Sequence, residues 1–465
     1  MTGDQLIEDL TRLLGPAGVL TDPAALAAAA RDEGGNTGKF PAAVVSPSSE
    51  EEVSRVLAYA DVNRVPVTPR GAGTSLHGQA VGRHGGLSLD LARMTGIIEL
   101  STASLSVRVE PGLRRRALND ALRPTNLFMP VDPGADATLG GMASTRSSGT
   151  TTVRYGTFAD QVLGLRVVLA SGEVICVGSG ARKSSGPDLR GLFLGAEGAL
   201  GIITSLTLKL HPVPRATVSL CAGFSGIPEA ISAALAVLGA GLPVARLELL
   251  DATAIEALAK VGGPRLPPRP HLWIELHETS RAIADLRLAE VQGVLAAFTT
   301  DPGHVATTDT ERDALWRARH EAYWALALMH PSWAILSTDV AAPLGRLAES
   351  IDYARRTLSD HGFRAPILGH VGDGSYHALL AFDPKRLGAR EAAEAAVAAI
   401  EAHAVTLGGA PHGEHGLGRR GGARPAEVFG PGGAAAWRAV KHALDPNGIL
   451  NPGQGLSAEE GSSKP

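Results

Sequence analysis

Two histidines flank a Gly-Asp-Gly turn in the segment ILGHVGDGSYHAL, residues 367–379. If Asp373 and Gly374 form a two-residue hairpin turn, His370 faces His377. Directly opposed residues share one face of a hairpin with Cβ atoms about 5 Å apart. Both imidazoles could then bind one divalent metal ion at about 2.1 Å. The alternative is a pair of structural histidines in a polar turn.

A second cluster, PHGEHGLG at residues 411–418, follows an alanine-rich stretch that predicts a long helix. Loops between rigid elements are where site residues concentrate. Glu414 would supply a third metal ligand, and His415 is a candidate general base because an imidazole titrates near neutral pH. His412 competes with its neighbours for either role. Two histidines and a carboxylate also suit non-haem iron oxygenases, but that chemistry would not explain the glycine-rich segments.

Three glycine-rich segments occur in the first 204 residues: PRGAGTSLHG at 69–78, a small and polar stretch between 130 and 156, and GAEGALGIIT at 195–204. Glycines let successive backbone N–H groups close around an anion, and Thr and Ser hydroxyls add donors. The first segment lacks the Rossmann spacing, and no Walker lysine follows it. Three such segments favour a large dinucleotide over a single phosphate.

Together these segments resemble the FAD-binding domain of the vanillyl-alcohol oxidase/PCMH flavoprotein superfamily. The histidine and glutamate motifs narrow the resemblance to the FAD-linked D-2-hydroxy-acid dehydrogenases, nearest to the cytochrome-type D-lactate dehydrogenases. Glycolate oxidase flavin subunits and D-2-hydroxyglutarate dehydrogenases are related to that group. The resemblance covers residues 36 to 455 and implies that the chain binds FAD and a divalent metal, zinc or manganese.

The resemblance also implies roles for individual residues. His370, His377 and Glu414 would bind the metal, His415 would be the base, and Arg319 would bind the substrate carboxylate through two hydrogen bonds. The FAD contacts implied are Arg70, Gly71, Ala72, Gly73, Thr74, Ser75 and Gly78 at the pyrophosphate; Pro133, Thr138, Gly140, Gly141, Ser144, Gly149, Tyr155 and Gly156 at the ribityl chain and isoalloxazine; Ile203 at the adenine end; and Gly198 and Asn451.

The sequence departs from the family in some places. Many relatives have Asn-Ala-Gly-Gly where this chain has residues 144–149, and often a lysine where it has Gln454. We expect the FAD to be bound non-covalently, although His77 and His84 lie near the first loop. Asp339 resembles the lactate branch, and we expect its charge to repel a second substrate carboxylate.

The pattern of helix and strand signals predicts an α+β protein. Residues 1–215 would form the PCMH-type, two-part FAD-binding domain that the resemblance implies. Residues 216–425 alternate strands and helices like a split β–α–β, ferredoxin-like unit, and would form the substrate (cap) domain with the metal site. Residues 426–455 would return to the first domain, and the polar tail at 456–465 would be disordered.

The composition excludes several function classes. Two cysteines in 465 residues exclude a disulfide framework, an all-cysteine zinc site and a cysteine-ligated iron–sulfur cluster. A net charge of −4 without a basic stretch, and 4% aromatic residues, argue against a nucleic-acid partner. Electrons would therefore leave the chain for an external acceptor: a cytochrome, a quinone or an electron-transfer flavoprotein.

The start of the chain, MTGDQLIEDL, has no basic n-region, and no apolar run approaches the roughly 20 residues of a membrane-spanning helix. We therefore expect a cytoplasmic protein, with peripheral attachment to a membrane as the alternative. The alanine-rich, lysine-poor composition is typical of GC-rich coding and favours a bacterial origin.

Overall fold

The computed structural model describes residues 2–181, 183–301, 303–418 and 425–454, with the side chains of 425–427 left aside. The strands are β1 (Val19–Leu20), β2 (Ala43–Val45), β3 (Val67–Arg70), β4 (Leu87–Asp90), β5 (Ile97–Ser101), β6 (Ser106–Val109), β7 (Leu127–Phe128), β8 (Val162–Val168), β9 (Val174–Gly178), β10 (Ile202–Lys209), β11 (His211–Pro212), β12 (Ala216–Gly223), β13 (Val244–Leu250), β14 (His271–Glu278), β15 (His304–Ala306), β16 (Ala334–Ser337), β17 (Val340–Ala341), β18 (Ile367–Gly369) and β19 (Ser375–Phe382). The α-helices are α1 (Gly3–Leu14), α2 (Pro23–Ala29), α3 (Glu50–Asn63), α4 (Arg115–Leu122), α5 (Leu139–Thr145), α6 (Thr152–Tyr155), α7 (Phe158–Gln161), α8 (Arg190–Phe193), α9 (Ile227–Gly239), α10 (Ala252–Lys260), α11 (Arg281–Leu295), α12 (Asp309–Met329), α13 (Leu347–Asp360), α14 (Ala389–Thr406) and α15 (Pro425–Leu444).

The first sheet has the order β1-β2-β4-β3, in which β2, β4 and β3 are parallel. Helix α3 packs on it, starting at Ser49, whose hydroxyl accepts the N–H of Glu52. Val53, Val56 and Leu57 recur at helical spacing and are buried in this core. Since β3 ends at Arg70, the first glycine-rich loop begins at the carboxyl end of a parallel strand.

The second sheet is antiparallel, in the order β5-β6-β10-β8-β9. Two apolar segments flank the turn dipeptide Ser171-Gly172 and predict a hairpin. The structure confirms it, because β8 and β9 are antiparallel and Val168 is paired with Val174. Phe158, Leu206 and Leu208 are fully buried in the core of this sheet. Strand β10 continues directly from the third glycine-rich segment.

The third sheet has the order β15-β12-β14-β13-β18-β19-β16, with β17 also paired to β19. Strands β12 and β13 are joined through α9 and separated by β14, which is antiparallel to both. This is the split β–α–β arrangement that the sequence pattern predicts. Helices α9, α11, α13 and α14 cover one face of the sheet, and α10 and α12 cover the other. The predicted α+β class is confirmed.

The end of the described chain packs against the first two sheets. Helix α15 bends at Gly430, where φ is 70°, and places Trp437 and Leu444 against the second core. The N–H of Val67 then donates to the Ile449 carbonyl, and the Asn451 N–H donates to the Val67 carbonyl. The predicted boundaries at residues 215, 425 and 455 stay predictions, and the tail at 456–465 lies outside the described residues.

A buried ion-pair network joins the third sheet to the part of the chain before it. Arg246 of β13 contacts Asp132 at 3.0 Å and Glu275 of β14 at 3.2 Å. Glu275 accepts a hydrogen bond from His277, whose other ring nitrogen contacts the Tyr155 hydroxyl at 2.9 Å. Breaking one member of a buried pair costs about 3–5 kcal/mol, so this network fixes how the two parts meet.

No helix in the described part of the chain is both long enough and apolar enough to cross a membrane.

Candidate active site

The three glycine-rich segments line one long cavity that is open to solvent. Thirteen of the residues predicted to contact FAD line it: Arg70, Gly71, Ala72, Gly73, Thr74, Ser75, Pro133, Thr138, Gly140, Gly141, Ser144, Gly198 and Ile203. Most of this lining is backbone and small side chains, as an extended dinucleotide requires.

Glycine is required at two positions of the cavity wall. Gly73 has φ of 73°, and a Cβ there would lie 2.3 Å from Nη2 of Arg70. Gly198 has φ of 74°, and a Cβ there would lie 2.3 Å from the ring of Pro69. Left-handed backbone of this kind favours glycine, and both positions bring the chain close to its neighbours. These two glycines therefore let the segments of the wall pack closely on Arg70 and Pro69.

The first loop is held by a carboxylate that the sequence analysis did not single out. Asp32 accepts hydrogen bonds from the Ser75 hydroxyl at 3.0 Å and from the Gly78 N–H at 2.8 Å. Arg70 donates from Nη1 to the Ala80 carbonyl at 3.2 Å. Burial lowers the pKa of Arg70 while its carboxylate neighbours raise it, and the guanidinium stays a cation because its ordinary pKa is above 12. The positive charge of Arg70 in this wall can pair with a pyrophosphate.

Five predicted FAD contacts do not line this cavity. Gly78 donates to Asp32, and Gly149 lines a neighbouring cavity instead. The Tyr155 hydroxyl points to His277, and Gly156 ends helix α6 with φ of 81°. The fifth, Asn451, is fully buried and donates from Nδ2 to the carbonyls of Gln79 and Glu197. These five residues therefore lie outside the described lining of the large cavity and contact other parts of the chain.

The predicted register of the histidine hairpin is wrong. Leu368 is paired with His377, and the N–H groups of Asp373, Gly374 and Ser375 all donate to the His370 carbonyl. The turn is therefore longer than two residues. Side chains alternate along a strand, so His370, two residues after Leu368, still lies on the same face as His377. Their ring centroids are 5.9 Å apart.

Glu414 completes this histidine pair from the loop after α14. His377 Nε2 is 2.9 Å from Oε1 of Glu414, and His370 Nε2 is 3.7 Å from Oε2. Burial raises the pKa of Glu414, but the adjacent imidazoles lower it more, so the carboxyl is held well below its usual range. One donor atom from each of these three residues lies within 4.8 Å of the others.

The remaining ring nitrogens of the histidine pair are oriented by fixed acceptors. Nδ1 of His370 donates to Oε1 of Glu248 at 2.8 Å, and Nδ1 of His377 donates to the Thr338 carbonyl at 2.9 Å. Such hydrogen bonds fix the tautomer that leaves Nε2 as a ligand. Two neutral imidazoles and a carboxylate are a donor set that suits zinc or manganese. These residues therefore fit the metal that the family resemblance implies.

His370, His377 and Glu414 are the candidate metal ligands and are called the metal-binding group below. His415 lies between this group and the large cavity. Its ring stacks on His377 with centroids 5.1 Å apart, and it lines both this cavity and the adjacent one. Its Nε2 is 3.4 Å from Glu414 Oε1. His412, the competing candidate, lines neither cavity and faces His77 at 6.1 Å between ring centroids. The placement favours His415 as the base.

A second cavity, of about 720 Å³, adjoins the first. Its lining includes the metal-binding group and Arg319, with His320 and Tyr323 from the same helix. Arg319 is buried, and its Nε and Nη2 donate to Oε2 of Glu248 at 2.9 and 2.6 Å. Nη1 is the nitrogen left to donate to a ligand in this cavity.

Two buried carboxylates were missed or misread in the sequence analysis. Glu248, which is fully buried, links His370 to Arg319, and its signal was a charge in the apolar strand β13. Asp339 is also fully buried and does not line the second cavity. Its oxygens accept the backbone N–H groups of Glu414 and His415. The expectation that Asp339 repels a substrate carboxylate is therefore wrong, because it holds the loop instead.

Two protein-family models match the chain, and both describe FAD-linked proteins. Residues 213–454 match the family "FAD linked oxidases, C-terminal domain", and residues 41–178 match "FAD binding domain". The chain belongs to the FAD-linked oxidase family, is an oxidoreductase of that family and binds FAD.

Its relatives include proteins of several organisms. The chain is 36% identical to a probable mitochondrial D-lactate dehydrogenase of Danio rerio, over 97% of this chain and 92% of the relative. It is also 36% identical to the mitochondrial D-lactate dehydrogenase [cytochrome] of Arabidopsis thaliana, over 89% and 73%. It is 32% identical to the glycolate oxidase subunit GlcD of Bacillus subtilis, over 89% of both. The bacterial origin stays a prediction.

A solved structure shares the fold. A 4-ethylphenol oxidase from Gulosibacter chungangensis superposes with a TM-score of 0.80 at 20% identity, covering 98% of this chain and 97% of that one. Structures of p-cresol methylhydroxylase give a TM-score of 0.79 at 19% identity, covering 98% and 97%. The PCMH-type fold that the sequence predicted is confirmed.

Proposed function

We propose that this protein oxidises D-lactate and related small D-2-hydroxy acids to the 2-oxo acid, using FAD and a divalent metal, and passes the electrons to an external acceptor. The observation that carries the proposal is the position of His415. It borders both cavities and stacks beside the metal-binding group. A proton acceptor placed between the glycine-lined cavity and a cavity containing an arginine suits the oxidation of a hydroxyl next to a carboxylate.

Arg319 would bind the substrate carboxylate. Its other two donor nitrogens are fixed on Glu248, so the guanidinium is held in one orientation. The same Glu248 holds His370, which ties the position of the carboxylate to that of the metal-binding group. Fixing the substrate in this way lowers the entropic part of the barrier.

His415 would take the proton of the 2-hydroxyl while C2 loses a hydride, so that two hydrogens and two electrons leave the acid and the 2-oxo acid remains. When bound, FAD supplies the hydride acceptor and a divalent cation supplies the Lewis acidity that lowers the pKa of the hydroxyl. The backbone N–H of His415 donates to Asp339 at 2.8 Å, which holds the base in place.

The names of the relatives support a hydroxy-acid substrate, and they also support an alternative. Glycolate is the substrate that the relative in Bacillus subtilis is named for, and D-2-hydroxyglutarate remains a second alternative since Asp339 does not face the substrate cavity. A non-catalytic flavin subunit of a larger complex is the third. We propose a cytochrome, a quinone or an electron-transfer flavoprotein as acceptor, and the cytoplasm, with peripheral membrane attachment as the alternative, as the location.

The test is anaerobic bleaching of the flavin by a panel of D- and L-2-hydroxy acids that includes lactate, glycolate and 2-hydroxyglutarate. We expect D-lactate to bleach the flavin fully and fastest, and L-lactate to leave it oxidised. A flavin that no acid reduces would contradict the proposed activity. Chelation should abolish the bleaching and added zinc or manganese should restore it, while full bleaching of metal-free protein would contradict the metal role.

A further inference from the structure

We propose that this chain binds a second divalent transition-metal ion, through His77, Asp339 and His412, separate from the ion held by the first group. One donor atom from each of the three residues lies within 4.8 Å of the others, as in the first group. The two groups have no residue in common, although Asp339, His377 and His415 form a third such group that shares one residue with each of them. Two imidazoles and a carboxylate are donors that suit zinc, which sets the chemical class of the ligand.

Two of these three residues are oriented by hydrogen bonds to other segments. Nδ1 of His77 is 3.1 Å from the Gly416 carbonyl, which places the ring proton on Nδ1. Backbone carbonyl and carboxylate acceptors orient the histidines of the first group in the same way. Asp339 accepts backbone N–H groups from Glu414 and His415 and keeps a lone pair on each oxygen.

Burial also favours a cation here. Asp339 is fully buried, and His77 is only 3% exposed. A buried carboxylate without a cation is costly, and an ion shared with two imidazoles would neutralise it. Donors about 2.1 Å from a tetrahedral ion lie about 3.4 Å apart, so binding requires the three side chains to close by about 1 Å or less. His412 is half-buried on a loop, where such an adjustment is easiest.

The second ion would tie two distant parts of the chain together. His77 ends the first glycine-rich loop, whereas Asp339 and His412 belong to the segments around the proposed base. The His415 ring lies 5.2 Å from that of His77 and 5.1 Å from that of His377, so it is located between the two groups. The ion would hold the base-bearing loop against the cofactor cavity. Its proposed task is structural, and it does not depend on which acid the protein oxidises.

The experiment counts metal ions in the FAD-loaded protein. The holoprotein is stripped with a chelator, dialysed to equilibrium against zinc and analysed by mass spectrometry of the metal. We expect two zinc ions per chain in the wild type and one in the H77N/H412N double variant. H304N, which changes an exposed histidine, is the matched control and should keep two. The flavin absorbance spectrum reports whether each variant is folded and loaded.

A single ion per chain in the wild type would overturn the proposal, and so would two ions retained in the double variant. A second measurement uses H370N, in which the first group is broken. Zinc should raise the melting temperature of H370N but not that of H370N/H412N. Equal zinc-induced shifts in these two variants would also overturn it. Both readouts are independent of turnover, so failure of the proposed activity would not affect the count.

Discussion

The two cavities are built by different means. The cofactor cavity is walled by backbone and small side chains, with Arg70 as the guanidinium among its described lining residues. The adjacent cavity is surrounded by charged side chains, each held by another: Glu248 holds His370 and Arg319, and Asp339 holds the loop of Glu414 and His415.

Because the two cavities are built differently, we expect them to respond differently to mutation. Binding spread over many backbone contacts loses little when one side chain changes, unless the change alters the backbone itself. Chemistry that depends on one oriented side chain is lost with that side chain or with the residue that orients it. The comparison predicts large effects on rate at the charged cavity and small effects on affinity at the glycine-lined one.

The largest effect is expected at His415. Replacing it with asparagine removes the proposed base, and loss of a general base costs about 10²–10⁴-fold in rate. The rate of flavin reduction by D-lactate, measured by anaerobic stopped flow, should fall by that factor while the FAD content stays at that of the wild type. H304N should react like the wild type. An unchanged rate of flavin reduction in H415N would contradict the proposed role of His415 as the base.

Glu197 lines the large cavity. Its ionisation should affect the free energy of unfolding. Burial raises its pKa to about 7, although the Gly418 N–H and the Gln79 amide, which both contact it, oppose that shift. The folded protein therefore keeps a proton that the unfolded chain releases between about pH 4.5 and 7. The free energy of unfolding falls as the pH rises through that window, by roughly 3 kcal/mol at most.

The variant E197Q cannot ionise and should lack this decline. Denaturant unfolding of the wild type and E197Q between pH 4.5 and 8 should show the variant gaining stability relative to the wild type as the pH rises. E229Q changes an exposed carboxylate and serves as the control. A difference between wild type and E197Q that is constant with pH would show that Glu197 is ionised throughout.

The orienting carboxylate Glu248 should give an intermediate effect. A glutamine has one acceptor oxygen, so E248Q leaves His370 or Arg319 without its partner. Loss of such an orienting group costs about 10–100-fold in metal affinity or activity. Zinc titration and flavin-reduction kinetics would measure it. The comparison variant E275Q changes a buried carboxylate whose own contacts are Arg246, His277 and Ser219, and it should lower stability but leave the metal affinity unchanged.

The smallest effect is expected in the cofactor cavity. Gly73→Ala places a Cβ 2.3 Å from Nη2 of Arg70, which displaces the guanidinium assigned to the pyrophosphate; loss of that charge-assisted contact, about 1.4 kcal/mol, would raise the dissociation constant of FAD about tenfold. Gly134→Ala lines the same cavity, with nothing within 4 Å of the added Cβ. Fluorescence titration with FAD should show near-wild-type affinity for it. Equal losses in both variants would contradict the role given to the backbone of Gly73.

Much of this arrangement could be predicted from the sequence because it is local. The glycine-rich loops, the capped helix α3 and the hairpin of β8 and β9 each lie within a continuous stretch of fewer than 30 residues. His370 and His377 were placed on one face even with the wrong turn, because a register shift of two residues preserves the face of a strand.

What the sequence could not show are the long-range partners. Glu248 lies 122 residues before His370, and Asp32 lies 43 residues before Ser75. Tyr155 and Asn451 come from motifs that suit a cofactor contact, but packing directs their side chains to other segments. Nothing in the local pattern of a residue tells which distant segment its side chain will meet.

The pairing of Val67 with the segment at Leu450 has a consequence for the time course of biosynthesis. At a synthesis rate of roughly 5–20 residues per second, about 20–80 s separate the emergence of these two strand positions. Throughout that interval the free edge of β3 presents unpaired N–H and C=O groups next to the cofactor loop, a situation that invites pairing with another chain. A ribosome that stalls late in this message would therefore release a chain whose first sheet still has an open edge.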